Sequence, residues 1–164
     1  MATALGWTNR GMYNILAAIF NGVSLPTNFY LALMTDATAF ARRINLMSDM
    51  TEIAAGNGYT TGGYQLTKDS TDFPNIDEIE TGSEGDDDYA IIDLKDITWT
   101  ASGGNLPGSG DGARYAVLTD DNGTVANREI WAGWDLSSAR TVSNGQDLTV
   151  HAAQLLLFTY GTVI

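Results

Sequence analysis

From Tyr89 onward the chain is a succession of short apolar runs cut by turn residues, with no helix-length amphipathic stretch between them. That rhythm excludes the strand–helix–strand alternation a parallel sheet needs and leaves antiparallel β-structure. Ala113 to Thr119 and Ala126 to Leu136 are two strand-like runs joined across Asp120-Asp121-Asn122-Gly123, a hairpin signal. Asn144-Gly145 makes a second tight turn before a run from Asp147 to Tyr160. Tyr89 to Thr100 reads as one strand, with Ala90, Ile92 and Leu94 on one parity and Ile97 and Trp99 on the other. The switch near Lys95-Asp96 predicts a bulge or twist. Ala101 to Gly112, with five glycines and Pro107, reads as a long flexible connection.

The front of the chain differs. Met12, Ile15, Leu16, Ile19 and Val23 recur at helical spacing, Thr8 and Asn9 are able to cap the start, and Asn21-Gly22 marks the stop. Thr27 to Met34 is a dense apolar strand launched by Pro26, and its two apolar faces predict cover on both sides. Residues 36–55 suggest short helices opened by Asp36 and by Asp49 with Glu52. Tyr59 to Lys68 reads as a strand with a bulge at Gly62-Gly63. The sum is one mainly β domain, an antiparallel β-sandwich or jelly-roll-like fold with short N-terminal helices. Residues 1–26 form a helical segment and 27–164 a β-rich domain, with an acidic loop over 69–88 and a glycine-rich loop over 101–112. For 164 residues, one domain is the natural count.

Charge narrows the function. Eight Lys and Arg against twenty Asp and Glu give −12, a field that repels phosphate backbones and anionic lipid, so nucleic-acid and membrane-surface roles are not expected. Eleven of those acids fall between Asp69 and Asp96, with Lys95 the one basic residue among them. The part from Asn75 to Asp88 is expected to be an exposed loop pointing away from every partner, because eight acids from Asp72 to Asp88 have no compensating cation there. Neither Ile15 to Phe20 nor Leu155 to Phe158 is long enough for a secretory signal or a membrane span, so a soluble protein is expected.

Catalytic signals are weak. The chain has no cysteine and one histidine, His151, which excludes disulfides, thiol chemistry and multi-histidine zinc sites. His151 itself reads as a half-buried structural residue on a strand. There is no Gly-x-Ser-x-Gly elbow and no Gly-Lys-Ser/Thr phosphate loop. Asp86-Asp87-Asp88 and Asp120-Asp121-Asn122 offer oxygens to Ca²⁺ but lack the spacing of a calcium loop. No catalytic residue, cofactor or metal is therefore assigned. Strict alternation over Glu129 to Leu136 places Trp134 in the core and strands Trp131 on a polar face, where a large aromatic marks a partner surface. A bulge at Gly133 would instead return both rings to the core.

Three stretches carry a resemblance: Phe29-Tyr30-Leu31-Ala32-Leu33-Met34-Thr35, Ser48-Asp49-Met50-Thr51-Glu52-Ile53, and Gly58-Tyr59-Thr60-Thr61-Gly62-Gly63-Tyr64-Gln65-Leu66. An aliphatic strand, a short acidic helix and a Gly-Tyr-x-x-Gly-Gly segment in this order resemble a group of tailed-bacteriophage structural proteins, over roughly residues 27–67. The resemblance implies a non-enzymatic virion component made in the host bacterial cytoplasm. The group includes capsid decoration, or cement, proteins with β-rich folds that assemble as trimers. On that reading the partners are the major capsid protein and further copies of the chain, and the protein sits on the outer capsid surface. The expected interface residues are Trp7, Met12, Leu16 and Phe20 of the N-terminal segment, together with Trp131. Two alternatives stand beside it: a phage tail or neck protein, and a carbohydrate-binding or hydrolytic β-sandwich with Trp99, Trp131 and the acidic loop as its sugar platform.

Overall fold

The computed structural model describes residues 2–79, 89–152 and 154–156. Its elements in chain order are β1 (Thr3–Trp7), α1 (Asn9–Asn21), β2 (Asn28–Met34), β3 (Tyr64–Thr67), β4 (Asn75–Ile79), β5 (Tyr89–Asp93), β6 (Ile97–Thr100), β7 (Ala113–Thr119), β8 (Ile130–Arg140), β9 (Asp147–Val150) and β10 (Leu155–Leu156). Single 3₁₀ turns occupy Met47–Asp49 and Val125–Asn127. The protein is mainly β, with three antiparallel sheets in the order β1-β8-β7-β2-β3, β10-β5-β4 and β6-β9, and a sandwich-like arrangement.

The five-stranded sheet is covered on both faces, as the two-sided apolarity of β2 predicts. Phe29, Leu31 and Leu33 join Trp134, Leu118 and Trp99 in the main core, together with residues of the two smaller sheets. Ala32 and Met34 join Val117, Ile130, Met47 and Met50 in a second core on the opposite face. That second core is roofed by the stretch from Phe40 to Met50. Gly133 is what lets the roof settle, since a Cβ there would lie 2.4 Å from the Phe40 ring.

The Gly-Tyr-x-x-Gly-Gly segment has a structural job. Gly58 holds φ +101°, and a Cβ on it would meet the Thr100 carbonyl oxygen at 2.2 Å. Gly63 holds φ +81°, and a Cβ would meet the Leu31 carbonyl oxygen at 2.0 Å. Only glycine fits such positions without moving backbone. Between them, buried Tyr59 donates its hydroxyl to Glu52 Oε1 at 2.7 Å and accepts the Leu33 N–H at 2.9 Å. Gly62 N–H donates to the same carboxylate oxygen of Glu52, and Arg128 Nη1 donates to the Gly62 carbonyl while its guanidinium lies 3.7 Å over the Tyr30 ring. The motif is a clasp that fastens β3 to β2.

Several expectations are corrected. Residues 1–26 are not only helical: β1 pairs with β8 at the edge of the large sheet. Its alternation is hidden by a register shift between Ala4 and Gly6. Residues 36–55 hold one 3₁₀ turn and no α-helix, and Asp49 caps that turn by accepting the N–H groups of Asn45 and Leu46. Tyr59 to Lys68 is a turn followed by the short β3, so Gly62-Gly63 is not a strand bulge. Tyr89 to Thr100 is two strands in different sheets, and the parity switch at Lys95-Asp96 marks the crossing. The glycine-rich connection is pinned at its middle, where fully buried Leu106 exchanges backbone hydrogen bonds with Val142.

The acidic segment also divides. Residues 75–79 are strand β4, with Asp77 and Glu78 exposed, while residues 80–88, including Asp86-Asp87-Asp88, lie outside the described part. Asp72 is buried rather than exposed, forming an ion pair with Lys95 and accepting the Thr67 N–H. The compensating cation, Lys95, lies beyond the acidic loop of residues 69–88.

Candidate functional site

Helix α1 is positioned by its first turn. Thr8, fully buried, accepts the Gly11 N–H at 2.9 Å as the N-cap and donates its hydroxyl to the Ile130 carbonyl. Its own N–H reaches the Trp131 carbonyl at 2.8 Å. A Cβ on Gly11 would stand 2.3 Å from that same carbonyl oxygen, so the helix sits directly on the β8 backbone. Gly22, left-handed at φ 66°, ends it.

Contact is made by small residues, Gly11 and Ala17, with Met12 and Ile15 half-buried against the core. The large side chains are left outside. Tyr13, Leu16, Ile19, Phe20, Val23 and Leu25 are all exposed, Phe20 by 77%. Single exposed apolar residues are ordinary, but six within thirteen positions form a contiguous patch of the kind that marks an interaction site.

A groove of about 590 Å³ opens beside this face. Ile15, Ala18, Ile19 and Leu25 line one side and Phe73, Pro74, Ile76 and Ile92 another, while buried Trp7, Phe29, Leu118 and Trp131 form its floor. Lys68, Asp69 and Ser70 are its polar residues. The indole Nε1–H groups of Trp7 and Trp131 are buried with no hydrogen-bond acceptor among the described residues. Each such orphan costs about 1–3 kcal/mol. Leu25 and Trp131 also line a second, polar groove of about 340 Å³, where Asp120, Asp121 and Glu129 gather.

Of the residues expected at an interface, Leu16 and Phe20 are exposed and Met12 is half-buried. Trp7 and Trp131 are corrected: they are 7% and 3% exposed and belong to the core. Leu118 faces Ala132 while Thr119 faces Ile130, so Trp131 is the additional residue of a bulge in β8. The bulge turns its ring to the side of Trp134, where Phe29 packs edge-on at 5.1 Å. It lies at Trp131 itself, two residues before Gly133. Trp99 is buried as well, so neither tryptophan offers a sugar platform. Tyr13, Leu25 and Ile76 were not anticipated. The helical spacing of Ile19 and Val23 was visible, but neither residue was among those assigned to the interface.

The polar clusters outside this region are structural. Asp121 Oδ2 accepts the N–H groups of Thr27 and Asn28, and Asp120 Oδ1 those of Asn122 and Glu129, so these carboxylates fasten loops. Among the described residues no three His, Asp or Glu side chains converge as a metal site. His151 lies just past β9, exposed rather than half-buried, with Nδ1 2.7 Å from Asp96. No helix among the described residues is long and apolar enough to cross a membrane.

Burial raises the Glu52 carboxyl above its ordinary value near 4.5, outweighing the hydrogen bonds from Tyr59 and Gly62 and the charge of Arg128. Burial, the Glu52 charge and the bond to Glu52 push the Tyr59 hydroxyl well up, so it remains the donor. Asp72 runs the other way: burial opposes ionisation, but the Lys95 and Thr67 hydrogen bonds and the Lys95 charge hold its carboxyl below 3.8. The signs are opposite. The Asp72 contribution is full above pH 3.8 and is lost as pH falls through its lowered value, whereas that of Glu52 is full below pH 4.5 and is lost as pH rises through its raised value. Glu52→Gln keeps both hydrogen bonds and removes the buried charge. Its urea midpoint relative to wild type is expected to be higher at pH 7 than at pH 4; an equal difference at both would refute the assignment.

Comparison with known protein families, with characterised proteins and with solved structures finds no match to this chain.

Proposed function

We propose that the protein is a capsid decoration protein of a tailed bacteriophage, binding the outer capsid surface and bridging neighbouring major-capsid subunits. The observation that carries a docking role is the apolar patch on α1, held outward by a helix that seats itself through Gly11 and Ala17. A chain of net charge −12 gains solubility from its acids, yet it keeps Leu16, Ile19, Phe20 and Val23 in water. Covering that patch is the gain that association supplies. The resemblance over residues 27–67 supports the virion setting, and the clasp built by its glycines accounts for the motif as a fold element rather than a reactive one.

The protein is expected to be a trimer in solution or on the capsid. Light scattering gives its mass, and mixing with undecorated capsids of the phage whose major capsid gene lies beside its own gives the binding stoichiometry. Saturable binding at a fixed number of copies per capsid subunit supports the reading. No binding to those capsids, with a folded protein, overturns it in favour of a tail or neck position.

A further inference from the structure

We propose that the groove beside α1 holds an extended segment of a partner protein in which large apolar side chains alternate with lysine or arginine. The proposal rests on the docking reading above and names what docks. The rings of Trp7 and Trp131 lie in the groove floor, and the lining is apolar apart from Lys68, Asp69 and Ser70, so an occupant gains most by laying large apolar side chains on it. Both indole N–H groups are closed off from solvent and lie out of an occupant's reach.

The wall opposite the helix favours the same kind of occupant. Among the described residues β4 is the outer strand of its sheet, and its Ile76 lines the groove while 74% exposed. An outer strand beside an apolar trough suits strand addition, in which backbone bonds give affinity and alternate side chains give selectivity.

Charge selects the partner. Glu78 shares the β4 face of Ile76, Asp69 lines the groove, and Asp120, Asp121 and Glu129 line the polar groove that shares Leu25 and Trp131 with it. Arg10 lies 3.6 Å from Glu129, and Lys68 Nζ is held by the Pro26 carbonyl. Another copy at −12 meets repulsion here, whereas a basic segment is drawn in.

The test uses the full-length protein, ¹⁵N-labelled at tryptophan, with two blocked nine-residue peptides: one alternating lysine with leucine around a central phenylalanine, the other with glutamate replacing lysine. The basic peptide is expected to shift the indole N–H signals of Trp7 and Trp131 while that of Trp99 stays in place, and to bind at least tenfold tighter than the acidic one. Ala18→Trp, which adds bulk to the groove wall, should lower its affinity at least tenfold. Ile76→Lys, at an exposed position, should do the same and serves if Ala18→Trp does not fold. Unmoved Trp7 and Trp131 signals, equal affinity for the two peptides, or binding indifferent to both substitutions would overturn the proposal. Capsid binding separates the two readings. Capsids that bind wild type and both variants equally would overturn the groove as the seat while the docking role stands. Peptide uptake without capsid binding would overturn the decoration role alone.

Discussion

Gly63→Ala is expected to cost the protein about 4 kcal/mol or more, the range reserved for substitutions that force backbone to move. Gly63 combines two requirements that no other residue meets together. Its φ of +81° disfavours any side chain, and its missing Cβ leaves room for the Leu31 carbonyl oxygen at 2.0 Å and the Ala32 Cα at 2.6 Å. Both obstacles are backbone of β2, the strand whose Leu31 to Met34 are fully buried, so nothing flexible yields. For a chain of this size the loss corresponds to a fall in melting temperature of roughly 8–16 °C. Gly22→Ala is the internal comparison. It shares the left-handed backbone, at φ +66°, but has open space around it, and should cost about 1 kcal/mol. Similar costs at the two positions would show that conformation alone, and not the β2 contact, makes Gly63 necessary.

Deleting residues 1–22 is expected to abolish cooperative unfolding rather than leave a stable remainder. The deletion removes β1 from the edge of the large sheet, with its pairs from Thr3↔Asp135 to Trp7↔Ala132. It also removes Trp7 and Thr8 from the interior and uncovers the backbone at Trp131. Loss of one buried Trp costs about 3–5 kcal/mol, and whole domains hold only about 5–15 kcal/mol. Circular dichroism on heating checks it. A truncated chain that melts cooperatively close to the full-length temperature would mean that β1 and α1 are appended to the fold rather than part of it. This expectation reverses the one that periodicity alone suggests, in which the N-terminal segment belongs chiefly to a partner.

The reversal shows which features a sequence of this kind exposes. β2 and β7 were legible because a run of apolar residues between clear stops needs no partner to be recognised, and β7 falls on Ala113–Thr119 as read. The limits of α1 were legible from Thr8 and Asn21-Gly22. Its orientation was not. A helix that packs through Gly11 and Ala17 sends its larger residues outward, and spacing does not record which face a neighbour approaches. β1 was missed because the irregularity between Ala4 and Gly6 breaks the two-residue period, and Trp131 was misplaced because the additional residue in β8 does the same. Bulges are decided by the pairing strand, which no local pattern contains. The burial of Asp72 was hidden for a similar reason, its partner Lys95 lying 23 positions away.

The most direct test of the docking surface is the double substitution Leu16→Asp with Phe20→Asp, read by melting temperature and by co-sedimentation with undecorated capsids. Both side chains are exposed, so the account predicts a melting temperature within about 2 °C of wild type, the range of ordinary surface changes. Capsid affinity should fall at least 30-fold, as expected when two central apolar contacts of an interface are replaced by charge. A double variant that binds capsids as wild type does would contradict the account, because the exposed face of α1 would then not be where the protein docks.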